Sequence, residues 1–217
     1  MAVLTEAQRR FLTTAAGVET VRDSFYLSGG TALAAYFLGH RLSEDLDLLT
    51  ATPRAVGPAL AALAAPLAAA GFEVETVRSF PTFAELRVTE GDEAARIDLA
   101  EDTPFRLAPV SPGRAEGLDL DSLEDLAANK IAALFDRAEP KDFVDVYFLA
   151  HEVRPRAELI ETARRKHVGM DDYWLAQAFA RVRHVKVLPR MLRAVDLEAL
   201  RAFFVEEAAR LMLRVSG

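Results

Sequence analysis

The stretch FYLSGGTALAAYFLGHRLSEDLDLLT, residues 25–50, decides how this chain folds. Its first three residues predict a short buried strand, and Gly29, Gly30 and Thr31 then lead into an apolar helical segment over residues 32–38. Glycines between a strand and a helix leave backbone N–H groups bare at the positive end of the helix, where proteins bind phosphate. The stretch therefore predicts a phosphate-binding turn.

The end of the same stretch predicts a second strand with an acidic face. Leu46 and Leu48 alternate with Asp45 and Asp47, so the leucines point to one side and the carboxylates to the other. Repulsion between two such carboxylates costs about 4 kcal/mol at a separation of about 4 Å and an effective dielectric of about 20. Oxygen-only ligand sets favour Mg²⁺ or Mn²⁺. We therefore predict a metal site at Asp45 and Asp47.

A hairpin further along the chain supplies a third carboxylate. Two alternating runs predict strands over residues 72–77 and 82–89, and a glycine turn leads to another strand over residues 94–100. In this last strand, Asp98 lies between core-facing residues and points out of the core. Asp98 joins the metal site if its strand lies beside the Asp-x-Asp strand.

Helices are predicted before and after the acidic strand. An amphipathic pattern over residues 5–22 indicates a leading helix with Thr5 as its N-cap. Thr52 and Pro53 predict the start of a crossover helix that ends at Ala70.

The chain changes character after the hairpin. Prolines and glycines fill residues 101–121, which predicts an irregular link or short edge strands. Beyond Ser122 the pattern is helical, and the last three helices are expected over residues 156–167, 171–183 and 196–213. We therefore predict an α+β fold in which a small mixed-sheet domain with helices, residues 1–118, precedes an α-helical C-terminal domain, residues 119–217.

Composition narrows the class of protein. The chain has 217 residues, of which 51% are hydrophobic, so it is long enough to bury a core. It has no cysteine, which fits a reducing cytoplasm. A net charge of -7 argues against a protein that coats nucleic acid non-specifically. No signal segment is evident, and the alanine-rich run over residues 59–70 is short and contains Pro66, so we expect a cytoplasmic bacterial protein without a membrane partner.

Two strings in the sequence resemble one family. The string GGTAL at residues 29–33, followed by HRLSEDLDL at residues 40–48, is similar to the AbiEii/AbiGii nucleotidyltransferase toxins of the DNA polymerase β-like superfamily. The string NKIAALFDRAEPKDFVDVY at residues 129–147 resembles the same family, in which a lysine and a Lys-Asp-x-x-Asp motif complete the active site. The resemblance covers about residues 25–149.

The resemblance implies a metal-dependent enzyme that uses an NTP, and it gives roles to particular residues. Asp98 is expected to bind the metal and to activate the attacking hydroxyl. The metal ligands, for Mg²⁺ or Mn²⁺, are Asp45, Asp47 and Asp98. The catalytic set adds Lys130, Lys141 and Asp142. The nucleotide and phosphate contacts are Gly29, Gly30, Thr31, Arg41, Ser43, Lys130, Arg137 and Lys141.

The resemblance also implies a biological role, with alternatives for the acceptor. The protein is expected to be the toxin of a toxin–antitoxin or phage-abortive system, with a cognate antitoxin as a partner and RNA, such as the 3′ end of tRNA, or a protein as the acceptor. Basic clusters over residues 164–167 and 181–193 favour RNA. The alternatives are a small-molecule nucleotidyltransferase of the antibiotic-modifying type and a catalytically silent nucleotide-binding partner or antitoxin.

Each of these residues also has an ordinary structural explanation. The two glycines could form only a tight turn, and the strand carboxylates could face solvent. His40, Arg41 and Ser43 could belong to a polar loop, and Lys130 and Arg137 could lie along an amphipathic helix with their charges in water. The joint spacing of glycines and aspartates favours the active site over these explanations.

Overall fold

A computed structural model of the chain describes residues 3–216. By their internal contacts these residues form two compact units. The first contains the residues up to Phe37 together with Ser43–Ser122, and the second contains Leu38–Leu42 together with the residues from Leu123 onward. The predicted division at residues 118 and 119 did not include the short segment Leu38–Leu42 in the C-terminal part.

The first unit is built on one mixed sheet of seven strands. The strands are β1 (Tyr26–Ser28), β2 (Asp45–Thr50), β3 (Glu73–Phe80), β4 (Phe83–Glu90), β5 (Glu93–Glu101), β6 (Ser111–Ala115) and β7 (Leu118–Leu120). Their order across the sheet is β3-β4-β5-β2-β1-β7-β6. The pairs β2 with β5 and β1 with β7 are parallel, and the other four pairs are antiparallel. The predicted α+β class is confirmed.

One face of this sheet is apolar and covered by helices. Leu46 and Leu48 of β2 are fully buried, as are Ile97 and Leu99 of β5. Helices α1 (Glu6–Ala16) and α4 (Val56–Ala69) contact the strands, and the short helices α2 (Glu19–Arg22) and α3 (Gly29–Leu33) complete the unit, with a π-helical turn over Ala34–Leu38 after α3. Burying each large apolar side chain contributes about 1.5–3 kcal/mol. The period-two alternation therefore leaves the carboxylates of β2 and β5 on the opposite face.

The two predicted helix starts in this unit had different outcomes. Thr5 caps α1 as predicted, because its hydroxyl accepts from the Gln8 amide at 3.2 Å and the Gln8 side chain accepts from the Thr5 amide at 3.0 Å. The start predicted at Thr52 and Pro53 is wrong, since α4 begins at Val56. Arg54 adopts a left-handed φ of 61°, which no α-helix tolerates.

The prediction for residues 101–121 is confirmed for the irregular residues 102–110 and for one edge strand, but not for the other strand. Strand β6 is an edge strand, but β7 lies inside the sheet, where it pairs in parallel with β1. Leu118 and Leu120 are fully buried on either side of Asp119. This three-residue alternation is the signal that the proline and glycine content of the segment obscured.

The second unit is helical. It contains α5 (Leu123–Asp136), α6 (Pro140–Glu152), α7 (Arg156–Lys166), α8 (Asp172–Ala180), a 3-10 turn (Arg181–His184) and α9 (Leu197–Ser216). Its core includes Phe143, Phe179 and Phe204, which meet edge to face with ring centroids 4.9 and 5.3 Å apart. The last three helices lie within one or two residues of their predicted bounds at most ends. Among residues 3–216, no helix has the length and apolar character needed to cross a membrane.

Candidate active site

The glycine turn and the acidic strand of the first unit are in direct contact. Strand β1 ends at Ser28, and Gly29 follows with a left-handed φ of 70°. A Cβ atom placed on Gly29 would lie 1.8 Å from Oδ2 of Asp47. Glycine is therefore required here both for its backbone conformation and because the Asp47 carboxylate occupies the space beside it.

This contact gives a prediction for Gly29→Ala. The left-handed backbone alone costs about 1–2 kcal/mol for a residue with a Cβ, and the Asp47 carboxylate must also move. A shift of about 1 Å at a reacting group lowers rates by about 10²-fold, so we expect a loss of that order in nucleotidyl transfer. Gly91→Ala is the matched control, because Gly91 has a φ of 58° but nothing lies within 4 Å of its added Cβ. Equal transfer rates in the two variants would refute this account of Gly29.

The strand of Asp98 does lie beside the Asp-x-Asp strand. Strands β2 and β5 are parallel, with Asp47 opposite Asp98 and Asp45 opposite Arg96. Residues opposite each other in adjacent strands point to the same face. The three predicted metal ligands and Arg96 therefore share the face of the sheet away from the leucines.

Asp98 is less exposed than Asp45 on this face of the sheet. Its side chain is 14% exposed, against 33% for Asp45. Oδ2 of Asp98 accepts from Nη2 of Arg96 at 2.9 Å, whereas Oδ1 is buried without a hydrogen-bond partner. Burial raises the pKa of Asp98, Arg96 acts to lower it, and the Asp47 charge raises it further. The structure thus holds an acceptor atom that a proton donor or a cation would satisfy.

The carboxylate oxygens on this face suit a hard divalent cation by their chemistry, although they do not converge on one point. Asp45, Asp47 and Asp98 offer only carboxylate oxygens, the ligands that Mg²⁺ and Mn²⁺ prefer. Within residues 3–216, however, no three His, Cys, Asp or Glu side chains are close enough to hold a metal ion. The residues fit the metal by chemistry and by their shared face, and the metal site stays a prediction.

The other predicted phosphate contacts of this unit have local partners. Gly30 and Thr31 are buried at the start of α3, and the Thr31 hydroxyl donates to the backbone carbonyl of Asp45. The carbonyl of Ser43 accepts from the side-chain amide of Gln8 at 2.9 Å. These bonds fix the backbone at the start of the acidic strand and just before it.

The second unit contains a buried cluster around Asp145, which is fully buried in α6. Its Oδ1 accepts from Nε of Arg41 at 2.6 Å and lies 2.7 Å from Nε2 of His40. Its Oδ2 lies 2.8 Å from both Nη2 of Arg41 and Nζ of Lys130. Burial acts to raise the pKa of Asp145, but Lys130, Arg41 and His40 outweigh it and hold that pKa far below its ordinary value.

The predictions for Arg41 and Lys130 therefore change in emphasis. Both were predicted to contact phosphate. In the structure both side chains are buried, and each forms an ion pair with Asp145. Asp145 is the second acid of the Lys-Asp-x-x-Asp motif, but neither it nor His40 was given a role of its own in the predicted site. The signal for Asp145 is an acid within the apolar run of α6, between Val144 and Val146, which are also buried. A phosphate contact by Arg41 or Lys130 stays a prediction.

The remaining predicted residues lie at the start of α6. Arg137 donates to both oxygens of Asp142 at 2.8 and 2.9 Å, and Asp142 also accepts from the Glu139 amide at 3.3 Å. Asp142 is fully buried and so fixes the beginning of the helix. The Lys141 side chain is 36% exposed, and its Nζ lies 3.4 Å from Glu139.

A glycine turn against an Asp-x-Asp strand in a mixed sheet is the arrangement of a nucleotidyltransferase, and comparison with known proteins agrees. The chain belongs to the nucleotidyl transferase AbiEii toxin family of type IV toxin–antitoxin systems, whose model matches residues 10–214. This confirms the resemblance inferred from the sequence. Membership implies a nucleotide substrate and a cognate antitoxin.

Solved structures share the fold at low sequence identity. A Helicobacter pylori protein described as a candidate nucleotidyltransferase has a TM-score of 0.56 and 22% identity, covering 98% of each chain. JHP933 from Helicobacter pylori has a TM-score of 0.53 and 20% identity over 99% of this chain and 95% of its own. The Mycobacterium tuberculosis nucleotidyltransferase toxin MenT4 has a TM-score of 0.54 and 18% identity over 96% and 86%. No curated protein sequence matches this chain.

Proposed function

We propose that the protein transfers a nucleoside monophosphate from an NTP to a hydroxyl of RNA, the 3′ end of tRNA being the acceptor, and that this transfer makes it the toxin of its toxin–antitoxin pair. The observation that carries the proposal is the parallel register of β2 and β5. It sets Asp47 beside Asp98, next to the turn where Gly29 leaves room for the Asp47 carboxylate.

The reaction follows from the roles of these residues. The acceptor oxygen forms a bond to the α-phosphorus, the bond from that phosphorus to the oxygen bridging to the β-phosphate breaks, and pyrophosphate leaves. Asp98 takes the hydroxyl proton, since its Oδ1 has no other hydrogen-bond partner. Asp45, Asp47 and Asp98 would hold a divalent cation, which supplies neutralisation of the triphosphate charge.

Phosphate contacts come from two kinds of group. At the start of α3, the backbone amides of Gly30 and Thr31 offer donors to the β- and γ-phosphates. Among the predicted cations, we propose Lys141, whose side chain is 36% exposed, as a phosphate contact. Asp142 and Arg137 support Lys141 by fixing the start of its helix.

An exposed basic strip in the second unit supports RNA as the acceptor. It consists of Arg181, Arg183, His184 and Lys186, all exposed in the 3-10 turn and just after it. In the described part of the chain, Arg181, Arg183 and Lys186 form no ion pair. In the other basic cluster, residues 164–167, two of the charges are already neutralised by acids. Lys166 is buried with its Nζ 2.7 Å from Oδ1 of Asp125, and Arg164 pairs with Glu161 at 2.7 Å. The strip is therefore the surface suited to RNA phosphates.

The test is to incubate the purified protein with Mg²⁺, total bacterial RNA and each α-³²P-labelled NTP in turn. We expect label on RNA of tRNA size from one NTP. A variant with Arg181, Arg183 and Lys186 all changed to glutamine should label RNA more slowly and with a weaker dependence on salt, because fewer phosphates are neutralised. Label on protein alone would contradict the RNA acceptor, and label on neither would direct the search to small-molecule acceptors.

A further inference from the structure

Arg96 occupies a position on the acidic face where a cation is needed. It lies opposite Asp45 in the parallel register and two residues before Asp98 on the same strand. Its Nη2 is 2.9 Å from Oδ2 of Asp98 and 3.7 Å from Oδ2 of Asp45. One guanidinium thus faces carboxylates from two of the three predicted metal ligands.

The charges on this face account for the position of Arg96. Carboxylates at this spacing repel one another unless a cation lies among them. Arg96 supplies that charge, and it holds Oδ2 of Asp98 while Oδ1 is left without a partner. An ion that took both oxygens of Asp98 would have to displace the arginine.

The neighbouring strand offers Arg96 a second place. Glu85 of β4 lies opposite Asp98, and its carboxylate accepts from Nε of Arg78 at 2.9 Å. A cleft of about 210 Å³ adjoins this group, and Arg96, Glu44, Glu85 and Arg87 are among the residues that line it. The Arg96 side chain is 46% exposed, so a change of rotamer into the cleft requires little desolvation.

We propose that Arg96 is an internal counter-cation. It pairs with Asp98 and Asp45 in the metal-free protein, and the metal ion replaces it at these carboxylates when the nucleotide binds. The arginine then turns into the cleft toward Glu85. Arg96 is a positioning residue, because it acts through the carboxylates. The inference rests on the proposed function, since it takes the acidic face to be the metal site.

If Arg96 and the metal ion compete for the same carboxylates, removing Arg96 should strengthen metal binding. Removing a residue that supports a metal site weakens binding, whereas removing a competing cation strengthens it. Arg96→Gln should therefore lower the Kd for Mn²⁺ by about tenfold, the range that a charged hydrogen bond can contribute. The same variant should have a lower Tm without metal, because the carboxylates then repel each other. Arg96→Lys, which keeps the charge, should stay close to the wild type.

The experiment measures free Mn²⁺ by electron paramagnetic resonance during titration of the whole protein. Arg87→Gln is the matched control, because Arg87 is the cross-strand neighbour of Arg96 but has its ion pair with Glu75, at 3.7 Å. Tighter Mn²⁺ binding in Arg96→Gln but not in Arg87→Gln supports the proposal. Equal or weaker binding in Arg96→Gln overturns it, while the wild-type metal site stands. If neither the wild type nor any variant binds Mn²⁺, the metal part of the proposed function fails as well.

Discussion

Replacing Asp47 by asparagine is expected to lower nucleotidyl transfer by roughly 10³-fold, because the neutral amide cannot hold a divalent cation whose charge stabilisation is worth several kcal/mol. The amide has the shape of the carboxylate, so it fits the space that Gly29 leaves. The protein should therefore fold normally. The measurement is the single-turnover rate with an α-³²P-labelled NTP, together with circular dichroism of the variant.

The control for this variant is an aspartate outside the acidic face. Asp92 lies exposed in the turn between β4 and β5, and Asp92→Asn removes the same charge from the same unit. It should transfer at the wild-type rate. A folded Asp47→Asn protein with full activity would show that the acidic face is not the active site.

Replacing Asp145 by asparagine is expected to destabilise the second unit by about 3–5 kcal/mol, the usual cost of leaving buried charges without their counter-ion. Arg41 and Lys130 are both buried, and Asp145 is the acid that both contact. The amide keeps the volume of the side chain, so the loss reports charge rather than packing. Urea unfolding followed by tryptophan fluorescence measures it, since Trp174 lies in α8 of the same unit.

The pH dependence of the stability loss shows whether that loss comes from the charge of Asp145. The pKa of Asp145 is lowered in the folded protein, so its contribution is fully present above the unfolded value of about 3.9 and is lost as the pH falls below that value. The deficit of Asp145→Asn should be constant near neutral pH and shrink below about pH 4. Asp136→Asn, at an exposed position on α5, should show no deficit. A variant as stable as the wild type at pH 7 would show that the cluster contributes no net stability.

Local patterns predicted those parts of the fold that depend on neighbouring residues. Alternation in β2 and β5 gave both strands and the face of each aspartate, because the side-chain period of a strand is two. Thr5 gave the start of α1, since an N-cap is a local hydrogen bond. The last helices followed from their apolar spacing and from the breaks between them.

What could not be predicted depends on residues far apart in the chain. Asp47 and Asp98 lie on strands that are separated in the chain by α4, β3 and β4. The sequence could therefore predict that the two acids meet only on the condition that β2 and β5 are neighbours. Asp145 was given no role of its own because its partner His40 lies 105 residues away. The position of Arg96 between Asp45 and Asp98 likewise depends on the register of β2 with β5.

The segment Leu38–Leu42 has a consequence for how the chain is made. It belongs to the second unit by its contacts but lies within the first unit in sequence, so the chain passes from one unit to the other three times. During translation, His40 and Arg41 leave the ribosome long before Asp145, the residue with which they pair, has been synthesised. The second unit can therefore finish folding only after α6 has been synthesised, and a fragment that begins at Leu123 would lack two of the three partners of its buried acid. Folding of the second unit therefore depends on a segment that is translated together with the first unit.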